Sequence, residues 1–227
     1  MKIVLKFGGT SLASPKDIRN VAKTITSFSK GNQIVVVCSA VDGVTDDLIT
    51  ISRLIEQRRK KNVVANLNGV IIKHRKLANQ TIKNSAIKKQ LLEKLNTDIS
   101  ELQELVRGLT LLKEVSARSL DYLISFGERL SDDLVSFALQ DLKKKSTALN
   151  GKEVGIVTDS NFGESRPLMD TTRIRIAKTI GSLLSKKVIP VVGGFAGADQ
   201  HGNVTTFGRG GSDYTATIIA SSTNADE

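Results

Sequence analysis

KIVLKFGGTS, from Lys2 to Ser11, begins as a β-prone run and turns at Gly8 and Gly9. It leads through Ser14 and Pro15 into a stretch with Ile18, Val21, Ala22, Ile25 and Phe28 at helical spacing. Gly31 is expected to close that helix. IVVVC, from Ile34 to Cys38, is an unbroken apolar run, the pattern of a strand buried on both faces of a parallel sheet. The opening therefore reads as strand, helix, strand. From Thr45 to about Leu142 the pattern is helical and free of proline, with Gly69, Gly108 and Gly127 as the expected breaks. Strand signals return from Val154 to Thr158 and from Val188 to Val192, separated by a helix over about Thr171 to Ser185. Gly202 and Asn203 suit a turn, Val204 to Phe207 is extended, and a last helix starts near Ser212. Strands alternating with helices predict an α/β fold with one mostly parallel sheet covered on both faces. No repeat or linker-like stretch marks a domain boundary.

The 227 residues are 40% apolar and 25% charged, which excludes low-complexity disorder. Thirty-three Lys and Arg against 23 Asp and Glu give a net charge of +10, so polyanion binding has to be weighed. Most of that excess is local. Between Arg53 and Arg107 there are 13 basic and 5 acidic residues, including RRKK at Arg58 to Lys61 and KHRK at Lys73 to Lys76. No aromatic residue interleaves with them, and a helix with Ile71, Ile72 and Leu77 inward and its cations outward is a solvated face. His74 and His201 are too far apart in sequence to suggest a metal site, and none is expected. One cysteine, Cys38, forms no internal disulfide. No apolar run reaches the length of about 20 residues that a membrane helix needs, and the expectation is a cytoplasmic protein.

Four segments carry chemistry. KFGGTS places two glycines where a strand passes into a helix, so backbone amides, the hydroxyls of Thr10 and Ser11 and a helix N-terminus can cradle a phosphate. Lys6 precedes the glycines, whereas in a Walker P-loop lysine follows them. A tight turn beside a solvated lysine accounts for the segment equally. GRGGSD, from Gly208 to Asp213, sets Arg209 among glycines, suited to bidentate capture of a carboxylate or phosphate. Ser212 reads as a helix N-cap and Asp213 as a first-turn acid, a role that explains both but not Arg209. SFGERLS, from Ser125 to Ser131, holds Gly127 inside a helix, where it costs about 1 kcal/mol relative to alanine. Close approach of a ligand beside Glu128 and Arg129, or of another helix beside a surface ion pair, would supply the reason. SAVDGVT, from Ser39 to Thr45, follows the second strand, beyond whose carboxyl end a small substrate binds in open parallel sheets. A polar loop with a helix cap fits it as well.

These segments, in this order, together with GIVTDSNFG from Gly155 to Gly163 and GFAGADQHGNVTTFGRGGSDY ending at Tyr214, resemble the aspartate kinases of the amino-acid kinase family along the whole chain. The resemblance implies a three-layer αβα sandwich of the carbamate-kinase type with a helical insertion around residues 45–142. It implies ATP with Mg2+, the metal held mainly by the nucleotide phosphates, and phosphorylation of the β-carboxylate of L-aspartate, which leads toward lysine, threonine and methionine. Carried over by position, Lys6, Gly8, Gly9, Thr10, Ser11, Gly210 and Gly211 would face the phosphates. Ser39, Thr45, Glu128, Arg209 and Ser212 would bind aspartate, with Glu128 on its amino group and Arg209 on a carboxylate. Asp213 would orient Lys6, the two being the catalytic pair. A homodimer is implied, with no nucleic acid or membrane as partner.

The sequence ends at Asn224 to Glu227, where the family enters a further strand and a TDV-type segment that contacts the nucleotide. Residues 1–227 are thus expected to be an incomplete kinase domain without ACT regulatory domains, inactive or nearly so alone. Alternatives are a glutamate, acetylglutamate or uridylate kinase, a basic nucleic-acid-binding module, or an assembly partner.

Overall fold

A computed structural model describes residues 1–227. Strand β1 (Lys2–Phe7) runs through a 3-10 turn (Gly9–Leu12) into α1 (Pro15–Phe28), and β2 (Gln33–Cys38) follows. Ser14 starts α1 as expected, its hydroxyl accepting the Asp17 N–H with Pro15 at the first helical position. Four long helices come next: α2 (Val44–Glu56), α3 (Lys60–Thr81), α4 (Ser85–Leu112) and α5 (Ala117–Asp141). The remainder is β3 (Ser146–Leu149), α6 (Gly151–Val154), β4 (Val157–Thr158), α7 (Met169–Ser185), β5 (Ile189–Gly193), β6 (Ala196–Asp199), β7 (Val204–Thr206) and α8 (Gly211–Thr223).

The central sheet has the order β1-β2-β5-β3, and every pairing in it is parallel. The unbroken run in β2 is explained by its two faces. Ile34, Val36 and Cys38 enter the larger core with residues of α1 to α5, whereas Val35 and Val37 enter a second core with α7 and α8. Each fully buried aliphatic side chain contributes about 1.5–3 kcal/mol, so a polar residue on either face would be costly. Helices therefore cover both faces, giving three layers.

The structure corrects several local expectations. A second sheet, β4-β6-β7, stands beside the central one, and its β6–β7 pair is antiparallel. Val154 ends α6 rather than beginning a strand, because Asn150 and Glu153 form a reciprocal capping box around that turn. Gly69, Gly108 and Gly127 lie inside α3, α4 and α5 and break none of them. The turns fall elsewhere, with Arg58 and Lys113 in left-handed conformation. On α3, Ile72 is exposed and His74 takes the inward position between Ile71 and Leu77. Its Nδ1 lies 2.8 Å from the Val70 carbonyl oxygen, and burial lowers its pKa to about 4, which keeps the ring neutral. The cations of α3 are not uniformly solvated either. Lys73 donates to the Asp42 carbonyl (3.0 Å) and pairs with Asp47 (3.8 Å), tying α3 to the loop after β2.

The helical glycines differ in what surrounds them, and this yields an expected stability pattern. No atom outside the local helix lies within 4 Å of a Cβ built at Gly69 or Gly108, whereas at Gly127 it would stand 2.8 Å from the Ala40 Cβ. Gly69→Ala and Gly108→Ala should each stabilise by about 1 kcal/mol, and Gly127→Ala should destabilise by about 1–3 kcal/mol, in denaturant unfolding. Equal shifts at all three positions would contradict the packing assigned to Gly127.

Candidate active site

Lys6 near the end of β1, Ser39 just past β2 and Gly193 at the end of β5 place three strand carboxyl ends together. A cavity of about 610 Å3 opens there, where the helix-flanked edge of a parallel sheet leaves room for a ligand. Lys6 and Gly9 line it from the first turn, Ser39 and Thr45 from the second loop, and Glu128 from α5. Arg209, Gly210, Gly211, Ser212 and Asp213 close it at the start of α8. Gly8, Thr10 and Ser11 stand outside the lining, although a Cβ on Gly8 would come 3.9 Å from the Lys6 Nζ.

Lys6 Nζ pairs with Asp213 Oδ1 at 2.7 Å, joining the two glycine turns across the cavity rim. The Asp213 side chain is 72% exposed, so the pair adds little to stability. Gly210, not Ser212, caps α8; it is left-handed (φ +74) and supplies no side-chain bond. Ser212 sits within the first turn, pressed against Gly194, where an added Cβ would lie 2.8 Å from that of Ser212. Gly208 is also left-handed (φ +74). Arg209 projects between these two glycines, exposed, with no carboxylate oxygen within 4 Å of its guanidinium.

Glu128 is the opposite case. Only 5% exposed, it accepts the Ala40 N–H at Oε1 (3.2 Å), and Oε2 has no hydrogen-bond partner. Burial pushes its pKa up to about 8, against a smaller downward pull from the backbone N–H bonds. Its neighbour Gly127 lets Ala40 approach α5, which answers the question that interior glycine raised. Ser131 completes the attachment by donating to the Ser39 carbonyl (2.6 Å). The expected ion pair beside Glu128 takes another form. Arg129 bonds Asp98 and Glu101 of α4, each at 2.7 Å, and stacks 4.4 Å from the Phe126 ring centroid. A second cavity of about 540 Å3 shares the Glu128 wall and faces Tyr122, Arg129 and Asn203, away from the Lys6 and Arg209 turns.

Sequence reasoning assigned no site role to Asp121, Gly163, Phe195 or Thr206, which also line the first cavity. Asp121 was detectable in principle, since it precedes Glu128 by two helical turns and shares its face. Phe195 carries a positive φ of +69 beside Gly211, a constraint invisible in composition.

The chloroplastic aspartokinase 1 of Arabidopsis thaliana is 32% identical over 222 residues, 95% of this chain and 37% of that protein. The aspartokinase of Geobacillus stearothermophilus is 30% identical, covering 99% of this chain and 40% of its own length. The chain thus spans about two fifths of the length of these curated relatives. E. coli aspartokinase III, crystallised with lysine and aspartate, matches with a TM-score of 0.88 at 25% identity, over 99% of this chain and 47% of its own. The same protein with aspartate and ADP matches at 0.86, over 100% of this chain and 48% of its own. The sequence model of the amino acid kinase family matches residues 1–227, and the chain belongs to that family.

Proposed function

We propose that this chain carries the aspartate site and part of the phosphate site of an ATP-dependent aspartate kinase, which forms 4-phospho-L-aspartate. One observation carries the reading: Glu128, buried with a carboxylate oxygen unpartnered, and the unpaired Arg209 line the same cavity. An α-amino acid presents an ammonium to the first and a carboxylate to the second. The likeness to aspartokinase III of E. coli, crystallised with aspartate and ADP, supports this choice over a glutamate or acetylglutamate kinase, which a substrate panel would separate.

The acceptor carboxylate is ionised at neutral pH, so transfer needs no strong base. It needs positioning and neutralisation of charge on the phosphoryl oxygens. Lys6, held by Asp213, supplies the cation, and the amides of Gly8, Gly9 and Gly210 are assigned as further donors, that of Gly211 being bonded to the Gly208 carbonyl at 3.2 Å. Ser39, Thr45 and Ser212 add hydroxyls on the aspartate side, and Thr10 and Ser11 on the nucleotide side. No three His, Cys, Asp or Glu side chains are grouped to hold a metal, so Mg2+ belongs on the nucleotide phosphates in this reading. No helix is long and apolar enough to cross a membrane. The proposal further takes a cytoplasmic homodimer as the working form and the route to lysine, threonine and methionine as its setting.

Two outcomes are expected. In the full-length enzyme, Lys6→Ala should lower kcat for aspartyl phosphate, trapped as the hydroxamate, by at least about 10²-fold, the scale for one preorganised donor. Unchanged turnover would remove Lys6 from the mechanism. The second concerns protons. With a pKa of about 8 the unliganded Glu128 is about nine-tenths protonated at pH 7, and an incoming ammonium favours its ionised form. Aspartate binding at pH 7 should therefore release close to one proton, read by calorimetry in buffers of different ionisation enthalpy. Affinity should rise about fivefold from pH 7 to pH 8. Because the folded state holds this proton longer than the unfolded one, stability of the unliganded protein falls as pH rises from 4.5 through about 8. Glu128→Gln should abolish both dependences, and retained proton release in that variant would refute the assignment.

A further inference from the structure

Asp121 is buried on α5, 1% exposed, and all its bonding runs to two distant segments. Oδ2 accepts the N–H groups of Gly163 and Thr206, each at 2.9 Å, and Oδ1 accepts the Thr206 hydroxyl at 2.8 Å. Thr206 is held on its other side too, its carbonyl accepting the N–H and the hydroxyl of Ser165 at 2.9 and 3.0 Å. The Gly163 carbonyl lies where a Cβ on Gly208 would meet it at 3.1 Å. The segments around Gly163 and Thr206 are therefore locked side by side, and the lock is anchored in α5.

Arg209 follows Thr206 by three residues, between two left-handed glycines, in a turn that the Gly211 N–H closes onto the Gly208 carbonyl at 3.2 Å. Nothing bonds its guanidinium to a carboxylate. Its position depends on what fixes the chain on either side: α8 after it, and before it the Asp121 lock together with the Phe207 N–H, which donates to the Phe195 carbonyl at 2.9 Å. Asp121 and Glu128 stand two turns apart on one rigid helix face. We propose that Asp121 is a positioning residue that sets the separation between Glu128 and Arg209, and so the fit of the amino-acid substrate. This rests on the proposed reading of Glu128 and Arg209 as the two ends of the substrate site. With three donors already satisfied, Asp121 is not itself a ligand for the substrate ammonium. Burial raises its pKa while the three bonds lower it, consistent with a carboxylate that the site pays to keep.

The test compares steady-state kinetics and hydrogen exchange between the full-length enzyme and five variants of it. Asp121→Ala should raise KM for L-aspartate at least about tenfold while leaving KM for ATP within about twofold, because the Lys6 turn is not part of the lock. Asp121→Asn should stay within about threefold of wild type, since its amide oxygen accepts both N–H groups and the Thr206 hydroxyl can turn to accept from its NH2. Thr206→Val, which loses only the hydroxyl bond, should fall between them and gives the reading if Asp121→Ala does not fold. In an Arg209→Ala background, Asp121→Ala should add no further loss for aspartate. Hydrogen exchange should speed up at residues 163–165 and 206–209 and not at residues 8–11 or 39–45.

Equal losses for aspartate and ATP, an unchanged aspartate KM, or full additivity with Arg209→Ala would overturn the inference. If Arg209→Ala itself leaves aspartate binding intact, the substrate reading fails instead, and unaltered exchange at 163–165 and 206–209 then overturns the lock by itself.

Discussion

Ala40 is the point on which the site is built. Its N–H is bonded to Glu128, its carbonyl oxygen would lie 2.8 Å from a Cβ on Gly9, and its own Cβ would lie 2.8 Å from one on Gly127. Three elements, the turn after β1, the loop after β2 and the middle of α5, thus converge on one small buried residue. A larger side chain at any of the three positions forces them apart. From the sheet side, a Cβ on Gly193 would come 3.3 Å from the Glu128 Cβ, so β5 closes the same arrangement. The consequence is electrostatic: a carboxyl group is carried into the interior with the Ala40 N–H on one oxygen and no partner on the other, and the fold tolerates it by favouring its protonated form.

This convergence explains what could be read from residues alone. β1, α1 and β2 were legible because a β-prone run ending at two glycines, a serine cap and an unbroken apolar run each have a local cause. The long helices were legible from periodicity, and their interior glycines misled because burial of the flanking faces outweighs about 1 kcal/mol of intrinsic cost. β3 and β6 were missed for a different reason. AGAD in β6 has no β-branched or large residue, since Gly151 packs so closely that an added Cβ would stand 1.8 Å from the Ala196 carbonyl oxygen. Close packing removed the side chains that would have announced a strand.

The site divides along the same line. Lys6, Glu128, Arg209 and Asp213 sit within or beside glycine segments whose composition asks for an explanation, so sequence reading finds them. Asp121, Gly163 and Thr206 are joined by bonds across 42 and 85 residues, and no local pattern encodes those. The basic excess shows the same limit. Arg129 and Lys73 are drawn into contacts with α4 and the β2 loop, while Arg209 is left free, a distinction that counting charges does not make.

The two ends of the cavity are prepared in different ways, and the difference follows from burial. Lys6 and Asp213 form an exposed pair, screened by water and worth about 0–1 kcal/mol, so Lys6 can exchange that partner for an anionic ligand at small cost. Glu128 has no such freedom. Its surroundings are fixed by Ala40, Gly127 and Gly193, and its second oxygen is buried without a hydrogen-bond partner. In the proposed reading, the substrate ammonium supplies the partner that this oxygen lacks. Selectivity should therefore reside on the buried side, where a misplaced group leaves a charge unpaired, and the exposed side should tolerate variation in what it neutralises.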